Sequence, residues 1–311
     1  MAIVLHYPTR TPYTLASMTY TLDRATGVAV AAYHTPENLH ALTHTQRVET
    51  FFVLEHAKID SDVRAVVWTA TGTRAFGAGA DLKAFGGDAL KLPDGVAEAY
   101  AERNLAPDNT FTLANQVRAF WDFPKPLVIA VNGMAVGGAA NIALMNFGDL
   151  VVCSTTAKFM YPFAKLGFTP ELGSSLVMPY IVGLVRTKQM MMLGEWFSAE
   201  KAQEWGLVNA VVEPEELMAT ALDLARRLAE NHPENMRLMK ASINAPLRRQ
   251  LDAVLEAESA SIQESMMLAM PTLIAKRRKQ MKEKRAQKHG AKQDAAAKAA
   301  AAEGGGGRSK L

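Results

Sequence analysis

The residues whose types and spacing can do chemistry are two glycine-rich turns, each directly after an apolar strand. The first reads AFGAGADLKAF, from Ala75 to Phe85, and follows DVRAVVWTATG. The second reads NGMAVGGAANIA, from Asn132 to Ala143, and follows PLVIAV. Without a side chain in the way, each turn can present a backbone N–H at the edge of a sheet. Two such N–H groups converging on one point make an oxyanion hole, which stabilises negative charge on a carbonyl oxygen. The first hypothesis is therefore an enzyme acting on an acyl compound. A dinucleotide fingerprint needs G-x-G-x-x-G at the start of a helix. Gly77 and Gly79 fit its first two positions, but Leu82 stands at the third. Neither turn carries the Gly-Lys-Ser/Thr of a phosphate loop. Plain tight turns in an α/β protein stay open as the alternative for either segment alone.

A carboxylate, Glu171 in YPFAKLGFTPELGSSLVMP, is a candidate proton carrier. Its position also suits a simpler role, because ELGSSL follows Pro170 and acids are favoured in the first turn of a helix. If Phe163, Phe168 and Leu172 lie beside it in space, desolvation raises its pKa and suits it to act as a base. Asp81 can brace the first turn, Asn141 can bond a ligand or cap a helix, and His34 and His40 read as surface or packing histidines. No HExxH, paired histidine or acidic cluster suggests a metal, and no cofactor is expected.

The elements that must position these groups alternate along the chain. YTLASMTYTLDRATGVAVAAYH reads as a hairpin turning at Asp23 to Gly27. THTQRVETFFVLEHAKIDSD has helical spacing, with Val48, Phe51, Phe52 and Leu54 near one face. A strand, the first glycine turn and a polar stretch through Asp88 to Gly95 follow. FTLANQVRAFWDFPKP is a second amphipathic helix, ended at Pro124; PLVIAVNG is a strand, then come the second turn and a helix. The recurring strand–turn–helix pattern argues for an α/β core of stacked ββα units. From about Glu215 the chain turns helical, over residues 215–243 and 247–268, with apolar faces at Leu217, Leu222, Leu224 and Leu228, then Leu251, Leu255, Ile262 and Met266. This reads as a helical appendage covering the core or a partner subunit. The organisation expected is a core over 1–213, a helical region over 214–290 and a mobile Ala-, Lys- and Gly-rich tail over 291–311.

Composition narrows the class. The 311 residues are 49% hydrophobic and 21% charged, as in ordinary soluble proteins. The net charge of +3 comes from one late run, Lys276, Arg277, Arg278, Lys279, Lys282, Lys284, Arg285 and Lys288. That run reads as a solvated helix face, and no aromatic residues interleave it, so nucleic acid is not the expected partner. Lys83 and these basic residues could meet the phosphates of a ligand, though a solvated face explains them as well. Cys153, the single cysteine, sits in an apolar strand and reads as an inert core thiol in a reducing compartment. The N-terminus lacks the order of a signal peptide, and the apolar stretch from Leu127 to Cys153 is interrupted by Asn and Gly, so no membrane span is expected. The chain ends Ser309-Lys310-Leu311, a tripeptide that an import receptor reads as a peroxisomal address.

From about Gly27 to Arg278 the sequence resembles the crotonase superfamily of enoyl-CoA hydratases and isomerases. AFGAGADLKAF is similar to that superfamily's A-F-x-A-G-A-D-[IL]-K turn, VNGMAVGGAANIA to its second turn, and FSAEKAQEWGLVNAVVE to a helix and strand after its core. The resemblance implies a crotonase-type fold with a C-terminal helical region. It implies an acyl-CoA thioester as ligand and the N–H groups of Ala80 and Gly138 as oxyanion donors. Pantetheine would run beside Ala78, Gly79, Ala80, Asp81 and Leu82. Family hydratases use two carboxylates, and their places hold Asn141 and Phe163 here. The Glu171 segment is similar instead to that of peroxisomal 3,2-enoyl-CoA isomerases, which implies that Glu171 is the catalytic base. Hydratase or other crotonase chemistry, and a non-catalytic acyl-CoA-binding protein, are the alternatives. Family members commonly form trimers or hexamers, so a homo-oligomer in the peroxisomal matrix is expected.

Overall fold

The computed structural model describes residues 4–5, 13–81, 113–145, 147–268, 271–272 and 275. In chain order, β1 (Val4–Leu5) pairs antiparallel with β2 (Tyr13–Thr14). The expected hairpin follows as β3 (Met18–Asp23) and β4 (Val28–Tyr33), then helix α1 (His44–Ile59). Strands β5 (Ala65–Ala70) and β6 (Ala75–Gly77) precede α2 (Leu113–Trp121). Then come β7 (Leu127–Val131), β8 (Met134–Val136), α3 (Gly138–Leu144), β9 (Leu150–Ser154) and β10 (Lys158–Met160). The chain continues through α4 (Phe163–Leu166), α5 (Ser174–Lys188), β11 (Phe197–Ser198), α6 (Ala199–Glu204) and β12 (Ala210–Val212). Two helices, α7 (Leu217–Ala229) and α8 (Pro233–Leu268), follow.

Two sheets form the frame. The larger has the order β12-β9-β7-β5-β4-β3, parallel except for the β3–β4 hairpin; the smaller has the order β11-β10-β8-β6. Three times a strand of the large sheet is followed within a few residues by a strand of the small one: β5 by β6, β7 by β8, β9 by β10. This is the repeating unit expected from the sequence.

Parallel sheets are covered on both faces, and successive side chains point to opposite sides. In β7, Leu127, Ile129 and Val131 join the main core with Phe52, Trp68, Phe120 and Phe159, while Val128 and Ala130 face the other way. That second face is covered by α7 through Leu217, Ala221, Ala225 and Ala229. The buried line on α7 therefore runs mostly through alanines, which let the helix approach the sheet closely. Leu222, Leu224 and Leu228, the residues expected to form its apolar face, are only partly buried at the flanks.

The two helical stretches expected over 215–243 and 247–268 divide elsewhere: α8 runs through 244–246, Pro246 included, and the break falls at residues 230–232. Pro233 opens the new helix, where its missing N–H costs nothing. Around Pro246 the helix is tied down on both sides, by Lys240 to Asp149 (2.9 Å) and by Arg248 to both carboxylate oxygens of Asp122 (2.8 and 3.0 Å). Those tertiary ties hold the helix across the bond that proline removes. No helix among the described residues is long and apolar enough to cross a membrane.

Candidate active site

Strands β6, β8 and β10 are parallel neighbours, so the segments that follow them emerge at one edge of the small sheet. Those segments are Ala78–Ala80, Gly137–Gly138 and Pro162–Phe163. The Gly137 N–H donates to the Met160 carbonyl at 2.9 Å, locking the second turn to the third strand. The two glycine turns pack directly on each other. A Cβ at Gly77 would fall 2.6 Å from the Cβ of Ala139, and one at Gly79 would fall 2.6 Å from the Val136 carbonyl oxygen. Gly79 also has φ +82°, a conformation that disfavours any side chain.

This packing brings the Gly138 and Ala80 backbones to the edge of one cavity. Gly138 opens α3, and the first N–H groups of a helix have no intrahelical acceptor. Its N-cap, Gly137, has no side chain to occupy them, and the helix dipole adds positive potential there. Ala80 forms a parallel bridge with Leu42 in which the bond runs from the Leu42 N–H to the Gly79 carbonyl at 2.8 Å, so the amide of Ala80 stays outside the ladder.

A cavity of about 190 Å³ opens here, lined by Ala78, Gly79 and Ala80, by Val136, Gly137 and Gly138, and by Pro162, Phe163, Leu166 and Phe168. Glu171, Arg47 and Ile262 complete the lining. Two larger surface clefts of about 490 and 500 Å³ lie elsewhere, beside α2–α8 and the β3–β4 turn, and are lined largely by charged residues. The small cavity is bordered by both glycine turns and by Glu171, whose carboxyl is shifted upward by burial, and for that reason it is the candidate site.

Glu171 lies three residues ahead of α5, outside its first turn, and its side chain turns into the cavity. Its Oε1 stands 3.0 Å from where a Cβ on Gly138 would be. Its backbone is held twice: the N–H donates to Ser174 Oγ at 3.1 Å, and the carbonyl accepts from Asn141 Nδ2 at 3.0 Å. Burial pushes the Glu171 carboxyl up to about 7; Arg47 works against that shift and Glu258 adds to it. Burial lowers the pKa of Arg47, and Glu171 pulls it back up. A carboxylate poised near neutrality can both take and return a proton at physiological pH.

The predicted residues sort as follows. Ala78, Gly79, Ala80, Gly138 and Glu171 come together at the cavity, and Phe163 and Phe168 supply apolar lining beside Glu171. Asp81 follows Ala80 but is not part of that lining. Leu82, Lys83, the polar stretch 88–95, the basic run 276–288 and Ser309-Lys310-Leu311 lie outside the described residues. Asn141 is no helix cap: it sits inside α3, fully buried, and its amide anchors the Glu171 backbone. His40 is structural, since Nδ1 accepts from the Thr35 N–H and Nε2 donates to the Thr71 carbonyl, both at 3.0 Å. No group of three metal-ligating side chains occurs among the described residues.

Sequence reasoning missed Arg47 and Glu258. An arginine in the early turns of an amphipathic helix carries no local signal. Glu258 did carry one: it occupies an inward position in the spacing Leu251, Leu255, Glu258, Ile262 on α8.

Similarity to known proteins extends over most of the chain. The family described as enoyl-CoA hydratase/isomerase matches residues 23–291. The short-chain-enoyl-CoA hydratase of Clostridium acetobutylicum is 33% identical over 245 residues, covering 78% of this chain and 87% of that protein. The 1,2-epoxyphenylacetyl-CoA isomerase of Escherichia coli is 33% identical over 232 residues, covering 75% and 84%. Among solved structures, the enoyl-CoA hydratase/isomerase of Pseudoalteromonas atlantica superposes with a TM-score of 0.72 at 27% identity, covering 84% of this chain and 96% of that one.

Proposed function

This chain belongs to the enoyl-CoA hydratase/isomerase family, and from that premise we propose that it converts 3-enoyl-CoA into 2-trans-enoyl-CoA. The observation that carries this reading is the placement of Glu171 beside Gly138, with Asn141 and Phe163 at the places where family hydratases keep their acids. Among the described residues lining the cavity, Glu171 is the single carboxylic acid.

In the proposed cycle the thioester oxygen accepts hydrogen bonds from the N–H groups of Ala80 and Gly138. Glu171, ionised, removes a proton from the α carbon; the electrons flow into a dienolate whose charge rests on the thioester oxygen. The protonated Glu171 then delivers that proton to the γ carbon, and the double bond comes to rest between the α and β carbons. No atom is gained or lost, and the base is regenerated. One donor of such a hole contributes about 2.7–4 kcal/mol to the transition state. The apolar side chains of Phe163, Leu166 and Phe168 suit an acyl chain and leave no general acid to direct water onto it.

The test is spectroscopic. Isomerisation of 3-hexenoyl-CoA creates the absorbance of a conjugated thioester, and hydration of 2-hexenoyl-CoA destroys it. Appearance of the chromophore with the first substrate supports the reading. Its loss with the second, and no change with the first, replaces the reading with a hydratase. Tight acyl-CoA binding with neither change identifies a non-catalytic binder.

A role in fatty-acid β-oxidation follows from the proposed reaction. The peroxisomal address expected from Ser309, Lys310 and Leu311 fits that role. It is tested by microscopy of a fluorescent protein fused ahead of residue 1, with and without those three residues. Self-association is proposed on the apolar side chains left exposed along α5 and the segment after it, Tyr180, Leu184, Val185, Met192, Leu193 and Trp196.

A further inference from the structure

We propose that Glu258, on the chain's own C-terminal helix α8, is a positioning residue that sets the aim of Glu171. The inference rests on the reading of Glu171 as the proton carrier.

The turn that follows Glu171 has an uncommon backbone. Leu172 has φ +62° and Gly173 φ +84°, so two successive residues adopt left-handed conformations. For leucine this is an uncommon backbone, and it persists only where the surroundings hold it. The turn feeds straight into α5, whose N-cap is Gly173 and which has no local side-chain cap. The orphan amides of such a helix start need an acceptor from elsewhere.

Glu258 supplies it from 85 residues downstream. One carboxylate oxygen accepts the Gly173 N–H at 2.7 Å, and the other accepts the Ser175 N–H at 2.8 Å and the Ser175 hydroxyl at 2.6 Å. The residue is 6% exposed, so these charge-assisted bonds form away from water, at the positive end of a helix dipole. Contact beyond the hydrogen bonds is also close. A Cβ on Gly173 would come within 2.9 Å of Leu251 Cδ1 on α8. Farther along α8, Ile262 lines the cavity and the Ser265 hydroxyl donates to the Gly167 carbonyl at 2.7 Å. The helix thus grips the segment that carries Glu171 on both sides of it.

Glu258 is also one of two charged groups acting on Glu171. From α1 the guanidinium of Arg47 favours the ionised carboxylate, and from α8 the negative charge of Glu258 opposes it. The neighbouring α3 presents only the uncharged amide of Asn141, and α4 presents Phe163 and Leu166.

The experiment uses the full chain with Glu258→Ala and Glu258→Gln. It follows kcat and KM on 3-hexenoyl-CoA, thermal unfolding, and the ¹³C carboxyl titration of Glu171, assigned by its loss in Glu171→Gln. Glu258→Ala should lower kcat by about ten- to a hundredfold through misplacement of the base, with KM within about twofold, since the oxyanion amides sit on other strands. Glu258→Gln keeps an acceptor oxygen without the charge and should move the Glu171 midpoint to lower pH. If Glu258→Ala does not fold, Glu258→Gln decides alone. A variant that merely unfolds more easily, with kcat, KM and the Glu171 midpoint unmoved, overturns the proposal. If the wild-type protein does not turn over 3-hexenoyl-CoA, the isomerase reading fails, while the Glu171 midpoint in Glu258→Gln still decides this one.

Discussion

Oε1 of Glu171 lies 3.0 Å from the point where a side chain on Gly138 would begin, and Leu42 Cδ1 lies 3.2 Å from the same point. The Glu171 carboxyl and the Gly138 backbone therefore share one small volume, and glycine at 138 keeps it open. Gly138→Ala retains the backbone N–H and demands no left-handed backbone, so its effect reads the contact alone. Glu171 must shift by tenths of an ångström, and kcat should fall by about ten- to a hundredfold while the protein stays folded. Gly138→Val should damage acyl-CoA binding and turnover together. Steady-state kinetics and thermal unfolding measure both, and undiminished kcat in the alanine variant would remove Glu171 from the oxyanion hole.

Glu171 titrates near 7 because its surroundings disfavour charge. As the base it must be ionised, so kcat/KM should fall about tenfold per pH unit below about 7 and level off above it. Glu171→Gln should abolish isomerisation at every pH while acyl-CoA still binds. Stability moves the other way. The folded-state pKa is raised above the ordinary value near 4.3, so the proton-linked stabilisation is complete below about pH 4 and is lost as pH rises through about 7. Glu171→Gln should therefore be more stable than the wild type at pH 8, by up to roughly 3 kcal/mol, with the difference vanishing near pH 4. Calorimetry at the two pH values decides it; an equal difference at both would mean that ionisation is not the cause.

Asn141 ties helix α3 to the backbone of Glu171, through Nδ2–H to the Glu171 carbonyl. Asn141→Ala leaves that half-buried carbonyl without its donor, a loss of about 1–3 kcal/mol. Asn141→Asp should be worse, because it turns an acceptor toward the carbonyl and buries a charge at a fully enclosed position. Denaturant unfolding should rank wild type above alanine above aspartate, and kcat should follow the same order. Aspartate as stable as alanine would show that the amide does not face Glu171.

The hairpin and the strands β5, β7 and β9 were legible in the sequence because each rests on a local signal, turn residues or an apolar run; β6 (Ala75–Gly77) and β8 (Met134–Val136) were not, since they are three-residue strands inside the stretches read as glycine turns. Glu171 was legible as an acid, and its local sequence, Pro170 and the residues after it, equally suggests a helix's first turn; in the structure Glu258 bonds the α5 terminus and Glu171 lines the cavity. Arg47 and the anchoring role of Asn141 depend on which elements meet in space, and no spacing along the chain encodes that. The course of α8 through Pro246 was hidden for the same reason, because the ion pairs to Asp122 and Asp149 outweigh the local penalty.

Val185 and Tyr180 are 81% and 72% exposed on α5, with Leu184 next to them at 57%. The proposed self-association would remove this apolar surface from water. Leu184→Asp combined with Val185→Asp should shift the sedimenting species to a smaller one without disturbing the fold, as neither side chain belongs to the core. A wild-type protein that sediments as a single chain at micromolar concentration removes the self-association proposal.

Cys153 occupies the middle of β9, paired across the sheet with Val131 on one side and Val211 on the other. It is fully buried, and burial pushes its thiol far above the ordinary range, so the nucleophilic thiolate is scarcely populated at any physiological pH. Thiol reagents should therefore leave the native protein unlabelled and react at once on unfolding. Cys153→Ala should retain kcat and lose about 1 kcal/mol for the small void. Cys153→Ser should lose more, because its hydroxyl would enter a strand centre whose backbone groups already bond one another. Fast labelling of the folded protein accompanied by loss of turnover would overturn the reading of this residue as inert packing.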